Sequence, residues 1–175
     1  GFIDVLFALV YSAGVNYKDG LTTLTLWDTT IHNYLMDRNT VIPTIKPNVN
    51  PTAKIAGGFV KEPVPGLYKW VMSFDLNSLY PHLIMQYNIS PDTHMRDIPS
   101  NLYECSLSAS VDSFLDERVD TATLVKNDLT VTPNGQFYRK DKTGFLPALM
   151  KSYYDGRVEY KKKMIEAKIE NQKNP

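Results

Sequence analysis

Apolar and polar positions follow several different rhythms along the 175 residues. Phe2 to Tyr11 is apolar almost throughout and rich in good helix formers, which predicts a helix. Its one acid, Asp4, falls in the first turn, where the helix dipole favours it. "VNYKDG" reads as a turn. "TTLTLWDTTIHNYLMDRN" sets Trp27, Ile31, Tyr34 and Leu35 at helical spacing on one face and predicts a second helix. "VIPTIKPNVNPTAKIAGG" has three prolines and a closing Gly-Gly, the mark of a linker or an extended crossing segment. A domain boundary is expected there. Pro63, Pro65 and Gly66 make a turn, and Tyr68 to Phe74 reads as a strand rich in β-formers. Pro81 suits the first turn of a helix, where its missing N–H costs nothing. Leu83, Ile84 and Tyr87 give that helix an apolar face, and "NISPDT" ends it. Residues 93–144 are poorly periodic, except that "LTVTPNGQFYRKD" places a Pro-Asn-Gly turn between strand-like arms and predicts a hairpin. Pro147 lies just inside a last helix that runs from about Leu146 to the end. The pattern is that of a mixed α/β (α+β) chain without repeats or low-complexity tracts.

Composition adds limits. The length suits one domain or pieces of two. Formal net charge is zero, so bulk charge points to no acidic partner. The charge is uneven, however. Lys151 to Pro175 carries seven basic and four acidic residues, and Ser110 to Asp120 is acidic. The single cysteine, Cys105, allows no internal disulfide and fits a reducing compartment. No apolar run reaches membrane-spanning length, and no basic-then-apolar signal pattern appears over the first residues given. The chain starts at Gly1 in an apolar segment and stops inside a charged, helix-like stretch. An internal segment of a longer protein is the expectation.

Chemistry concentrates in "SFDLNSLYPH". If Tyr68 to Phe74 is a strand, Asp75 stands at its C-terminal end, beside a turn into a helix. Amides at a helix start lack intrahelical partners and attract anions. A carboxylate beside them repels a bare anion, but a divalent cation between the two removes the conflict. Mg²⁺ is held by one or two carboxylates plus phosphate oxygens, so the stretch suits a metal–triphosphate complex. The alternative is that Asp75 or Ser78 simply caps the helix. In "GRVEYKKK", Arg157 and Lys161 share a helix face and could grip a polyphosphate. The alternative is an ordinary solvated basic helix laced with Glu159 and Glu166. Gly57 and Gly58 in "GGFVKEP" either allow close approach to a nucleic-acid strand or serve a bulge. His32, His82 and His94 show no metal-ligand spacing.

Together these residues resemble family B DNA polymerases. "SFDLNSLYPHLIMQYNISPDT" is similar to that family's first polymerase motif, D-x-x-S-L-Y-P. The succession "GGFVKEP", "YKWVMSFDL", "NISPDT" resembles the replicative polymerases of T-even-like bacteriophages. The likeness runs from the opening helix to about Met164. It implies that Asp75 is a ligand of both catalytic Mg²⁺ ions and that the Leu76 carbonyl is a further ligand. It implies that amides of Ser78, Leu79 and Tyr80 hold the β- and γ-phosphates, with Tyr80 as the steric gate beneath the sugar. Arg157 and Lys161 would contact the incoming triphosphate. Gly57 and Gly58 match the glycine pair of the Y-x-G-[GA] element near the template. Ile55 replaces its tyrosine, and His82 stands where serine is commoner.

The resemblance also implies an organisation. Residues 1–40 would end an exonuclease domain, 41–66 would be a linker, and 67–145 would hold the first palm strand and helix with a hairpin insertion. Residues 146–175 would start the helical fingers. The implied activity is DNA-directed DNA polymerisation during replication, by two-metal phosphoryl transfer. Primer–template DNA and deoxynucleoside triphosphates are the expected partners, with a sliding clamp and a single-strand-binding protein engaged by other regions. The host cytoplasm is the expected location. The motifs K-x-x-x-N-S-x-Y-G and D-T-D and the exonuclease carboxylates are not in this sequence. The segment by itself is therefore expected to be inactive, its two metal ions shared with residues outside it. Two other readings are part of a 3′–5′ exonuclease and a non-catalytic nucleic-acid-binding module. A D-T-D further along a longer chain favours the polymerase over the module.

Overall fold

Phe2–Ala13 wind into α1, which ends where Gly14 turns left-handed (φ 70°) and its amide reaches Val10 O. Glycine takes that conformation without a Cβ penalty. The expected turn is a single 3₁₀ turn, Tyr17–Asp19, and α2 follows over Thr23–Met36. Asn33 Nδ2 donates to Ala13 O at 3.1 Å and ties α2 to the end of α1. Gly20 is buried against α1, and a Cβ there would come 2.3 Å from Val10 Cγ2. Of the expected α2 face, Leu35 is buried and Ile31 and Tyr34 are half-buried, while Trp27 stays 41 % exposed.

This computed structural model describes residues 1–42, 58 and 60–173. They fall into two compact units, Gly1–Asp75 and Leu76–Pro175. In the first, the strand expected over Tyr68–Phe74 is not formed, so the first strand of an expected palm is absent as a strand. Trp70 takes a left-handed φ of 59°, which breaks an extended run. Tyr68, Trp70, Val71, Met72 and Phe74 are all exposed, Trp70 at 97 %. β-forming side chains favour a strand only when a neighbour supplies hydrogen bonds and a packing face. Among the described residues the one ladder is the hairpin of the second unit.

That unit begins with α3, Leu79–Tyr87, with Pro81 in its first turn and Leu83, Ile84 and Tyr87 half-buried, as the pattern predicts. Asn88 ends it in the left-handed conformation (φ 56°). Residues 93–144 look aperiodic because their helical pieces are too short to show a period. They hold a 3₁₀ turn at Ser100–Leu102 and then α4 (Tyr103–Ser108), α5 (Val111–Leu115) and α6 (Thr121–Lys126). Ser110 caps α5 and Asp120 caps α6, each accepting from an amide three residues on at 3.1 Å. The expected hairpin is present: β1 (Leu129–Val131) pairs antiparallel with β2 (Phe137–Arg139) in the register Val131↔Phe137. Gly135 closes its turn at φ 78°, where a Cβ would meet Ser106 O at 2.6 Å. Phe137 and Val131 pack with Leu102, Leu124 and Leu129 as the core of this unit.

The last helix, α7, spans Phe145–Lys173. Its start is held by the "NISPDT" segment. Asn88 Oδ1 accepts from Gly144 N at 2.9 Å, Asp92 Oδ1 from Phe145 N at 3.3 Å and Ser90 Oγ from Leu146 N at 3.3 Å. Pro147 has no N–H, and Ala148 N bonds Gly144 O at 3.1 Å. Every donor that the helix start would otherwise orphan thus has a partner. Asn88 Nδ2 also donates to Arg139 O, and to Lys142 O at 2.8 Å. Thr93 Oγ1 donates to Asn88 O at 2.6 Å, and Arg139 N to Thr93 O at 3.0 Å. Asn88, Ser90 and Thr93 are buried. A Cβ on Gly144 would come 2.6 Å from that of Ser90, so the backbone there has to be glycine-thin.

Burial pushes the Asp92 carboxyl up. The Ser90 hydroxyl, the Phe145 amide and Lys142, 3.5 Å away, outweigh that and hold it below its usual range. A carboxylate with a depressed folded value contributes stability that is complete above its unfolded value, about 3.9, and is lost as pH falls through the folded value. Chemical denaturation of wild type and Asp92→Asn between pH 7 and 2 tests this. Wild type should be the more stable above about pH 5, and the gap should close on acidification through about 3.9 and below. A gap that stays constant would remove the carboxylate charge from the account.

Candidate functional site

α3 and α7 run antiparallel. The end of α3, at Asn88, meets the start of α7, and His82, nearer the start of α3, lies edge-on against Tyr154 with ring centroids 4.7 Å apart. Tyr154, Arg157 and Lys161 are three and four residues apart, on one stripe of α7. Leu79 lies three residues before His82, and Arg157 three residues beyond Tyr154, about 4.5 Å further along each helix in the same direction. Arg157 therefore stands roughly level with the start of α3, and Lys161 one turn beyond.

The start of α3 contrasts with that of α7. Ser78 is its N-cap, in the left-handed conformation (φ 54°), and its side chain makes no capping hydrogen bond. The expected alternative of a Ser78 cap is thus not realised. His82 N bonds Ser78 O at 3.1 Å, and Pro81 has no N–H. Among the described residues no acceptor meets the amides of Leu79 and Tyr80. Tyr80 is 74 % exposed. His82 Nδ1 approaches Ser78 O at 2.9 Å, which braces this first turn.

On α7 the charges divide. Lys151 pairs with Asp155 and Lys163 with Glu159, each at 2.6 Å and one turn apart. Arg157 and Lys161 are exposed and join no ion pair among the described residues. Pairs of the exposed kind contribute little to stability. Unpaired cations on the stripe of α7 that runs past the start of α3, and unpartnered amides at that start, are both anion-attracting.

The structure thus brings Ser78, Leu79 and Tyr80 near the level of Arg157 and Lys161. Asp75 ends the first unit and Leu76 begins the second; both are exposed. Asp75 does not stand at the end of a strand, because the expected strand is not formed. Gly58 is exposed, and no atom lies within 4 Å of where its Cβ would be. Gly57 and Ile55 lie outside the described residues. No group of three or more His, Cys, Asp and Glu side chains that could hold a metal occurs among the described residues. No described helix is long and apolar enough to cross a membrane. Sequence reasoning missed Asn88, Ser90, Asp92 and Gly144. The only local signal was a cluster of cap-forming residues, which read simply as a helix end.

The sequence model for DNA polymerase family B matches residues 27–174. The DNA-directed DNA polymerase of Escherichia phage RB69 is 34 % identical over 166 residues, covering 95 % of this chain and 17 % of the phage protein. That of Enterobacteria phage T4 is 32 % identical over 165 residues, 94 % of this chain and 17 % of the relative. A DNA polymerase of Pyrococcus glycovorans is 36 % identical over 113 residues, 65 % of this chain and 11 % of the relative. The chain therefore spans about a sixth of the phage proteins it matches. With a match across most of its length, this chain belongs to family B of the DNA polymerases.

Proposed function

We propose that this chain is the part of a DNA-directed DNA polymerase that receives the incoming deoxynucleoside triphosphate for addition to a primer 3′ end in replication. The observation that carries the reading is the pairing of unpartnered amides at the start of α3 with unpaired Arg157 at about that level of α7 and unpaired Lys161 one turn beyond. In this reading 1–40 end an exonuclease domain, 41–66 link, 67–145 belong to the palm and 146–175 start the fingers. Gly57 and Gly58 lie near the template strand. Primer–template DNA is the second substrate, a sliding clamp and a single-strand-binding protein act through other regions, and the host cytoplasm is the site of action.

The amides of Ser78, Leu79 and Tyr80 receive the β- and γ-phosphates, and Arg157 and Lys161 neutralise them from the α7 side. The two cations and the amides oppose the charge that moves onto the leaving pyrophosphate, so they act on the transition state as well as on binding. Asp75 and the adjacent Leu76 carbonyl offer oxygen ligands of the hard kind that Mg²⁺ takes, and one carboxylate fits a site completed by phosphates and by carboxylates elsewhere in a polymerase. Ions held there would supply acidification of the primer 3′-hydroxyl and charge neutralisation at the leaving oxygen. By itself the segment supplies one motif carboxylate and is inactive.

Asp75→Asn in the full-length protein should abolish primer extension in Mg²⁺. Primer–template affinity should stay within about twofold, because DNA affinity comes mostly from dispersed phosphate contacts. Extension assays beside a DNA-binding titration decide it, and near-normal turnover would remove Asp75 from the active site.

Tyr80 is exposed at the end of the amide turn, so its ring can lie against the sugar of a nucleotide whose phosphates rest there. A 2′-hydroxyl would collide with it. Tyr80→Ala should keep deoxynucleotide incorporation within about tenfold, roughly 1.4 kcal/mol. Ribonucleotide incorporation should rise by much more. The ratio of the two efficiencies is measured beside a thermal melt. An unchanged ratio with a stability loss of about 3–5 kcal/mol would make Tyr80 a packing residue.

A further inference from the structure

We infer that Asn88, Ser90 and Asp92 are positioning residues for nucleotide binding. They fix the start of α7 to the end of α3 and so set where Arg157 and Lys161 stand relative to the amides of Leu79 and Tyr80. The inference rests on the proposed reading of those four residues.

Each of the three side chains accepts from a different amide of the α7 start, at 2.9–3.3 Å, across 53 to 56 residues of chain. Ordinary caps come from the residue at the helix's own start. Here the caps come from the segment that terminates the helix bearing the phosphate turn. One short stretch therefore carries the end of α3 and the beginning of α7 together. The helices also pack against each other along the first turns of α7, with His82 on Tyr154 at the far end of that contact. From Leu146 to Arg157 is about 16 Å of helix, and to Lys161 about 22 Å. A tilt of about 5° at the clamped end would move the two cationic positions by about 1.5–2 Å over those lengths. Misplacement of about 1 Å is enough to slow a reaction by up to about a hundredfold. Packing also holds the first turns of α7, where Pro147, Leu149 and Met150 are buried, but of residues 155–172 only Gly156 and Val158 are even half-buried, so a change at the base is carried outward to Arg157 and Lys161.

The test uses the full-length polymerase and single-turnover nucleotide addition, with the active fraction counted by titration on primer–template. Asp92→Ala should raise the Kd for the incoming nucleotide about five- to tenfold in the active molecules, the loss of one charged cap bond. Asp92→Asn keeps an accepting side-chain oxygen and should recover most of the affinity. In a background carrying both Arg157→Ala and Lys161→Ala, Asp92→Ala should add less than about twofold, because a residue acting through those two cations is not additive with their loss. Ser90→Ala, which removes one hydroxyl, carries the same comparison if Asp92→Ala fails to fold. A lowered Tm with unchanged nucleotide Kd, or equal weakening in both backgrounds, would overturn the clamp. Unchanged Kd in Arg157→Ala and Lys161→Ala would instead overturn the reading on which it rests.

Discussion

One buried amide, that of Asn88, satisfies two carbonyls and an N–H that lie 51 to 56 residues further along the chain. Those groups belong to the exit of β2, the loop after it and the first residue before α7. An amide side chain is suited to the task because it both donates and accepts, as a carboxylate or a hydroxyl in its place would not in the same geometry. Leaving even one of these backbone groups unpaired in the interior costs about 1–3 kcal/mol. The second unit therefore has two kinds of cement. Leu102, Leu124, Leu129, Val131 and Phe137 gather the hairpin and the short helices around it. Asn88, Ser90 and Thr93 join that body to the two longer helices.

The two helices begin alike and end up differently. Each has a proline as its third residue, Pro81 in α3 and Pro147 in α7, which removes one amide from the first turn. At α7 the remaining amides are taken by side chains from elsewhere in the fold. At α3 those of Leu79 and Tyr80 meet no acceptor among the described residues. A filled start anchors a helix, while an unfilled one can receive an anion. The same local sequence device thus serves attachment in one place and is open to recognition in the other.

Much of this was legible in the chain. The helical spacing of Ile31, Tyr34 and Leu35, of Leu83, Ile84 and Tyr87, and the Pro-Asn-Gly turn each specify an element through residues a few positions apart. Such local rules hold because the side chains concerned sit on one face of one element. Tyr68 to Phe74 failed for the opposite reason: a strand is half of an interaction, and composition does not show whether the other half is at hand. α4, α5 and α6 are too brief for periodicity, although Ser110 and Asp120 carried their start signals. The Asn88–Ser90–Asp92 clamp was invisible, because its bonds join segments more than fifty residues apart and any turn offers the same residue types. The motif residues from Asp75 to Pro81 were legible as chemistry only through resemblance, since an acid before a helix is equally a cap.

Because Asn88 and Gly144 touch, the chain between these two positions, 56 residues apart, forms a closed loop pinned at its base. The entropy of closing a flexible loop grows only with the logarithm of its length, by about 0.6 kcal/mol for each doubling. The distance between α3 and α7 is set at the pin and not by how much chain is threaded between them. Residues 93–144 can therefore lengthen, shorten or be exchanged for another small body with little effect on the pair of helices. What they have to return is a carbonyl and a thin backbone at the right place, which is the part Arg139, Lys142 and Gly144 supply.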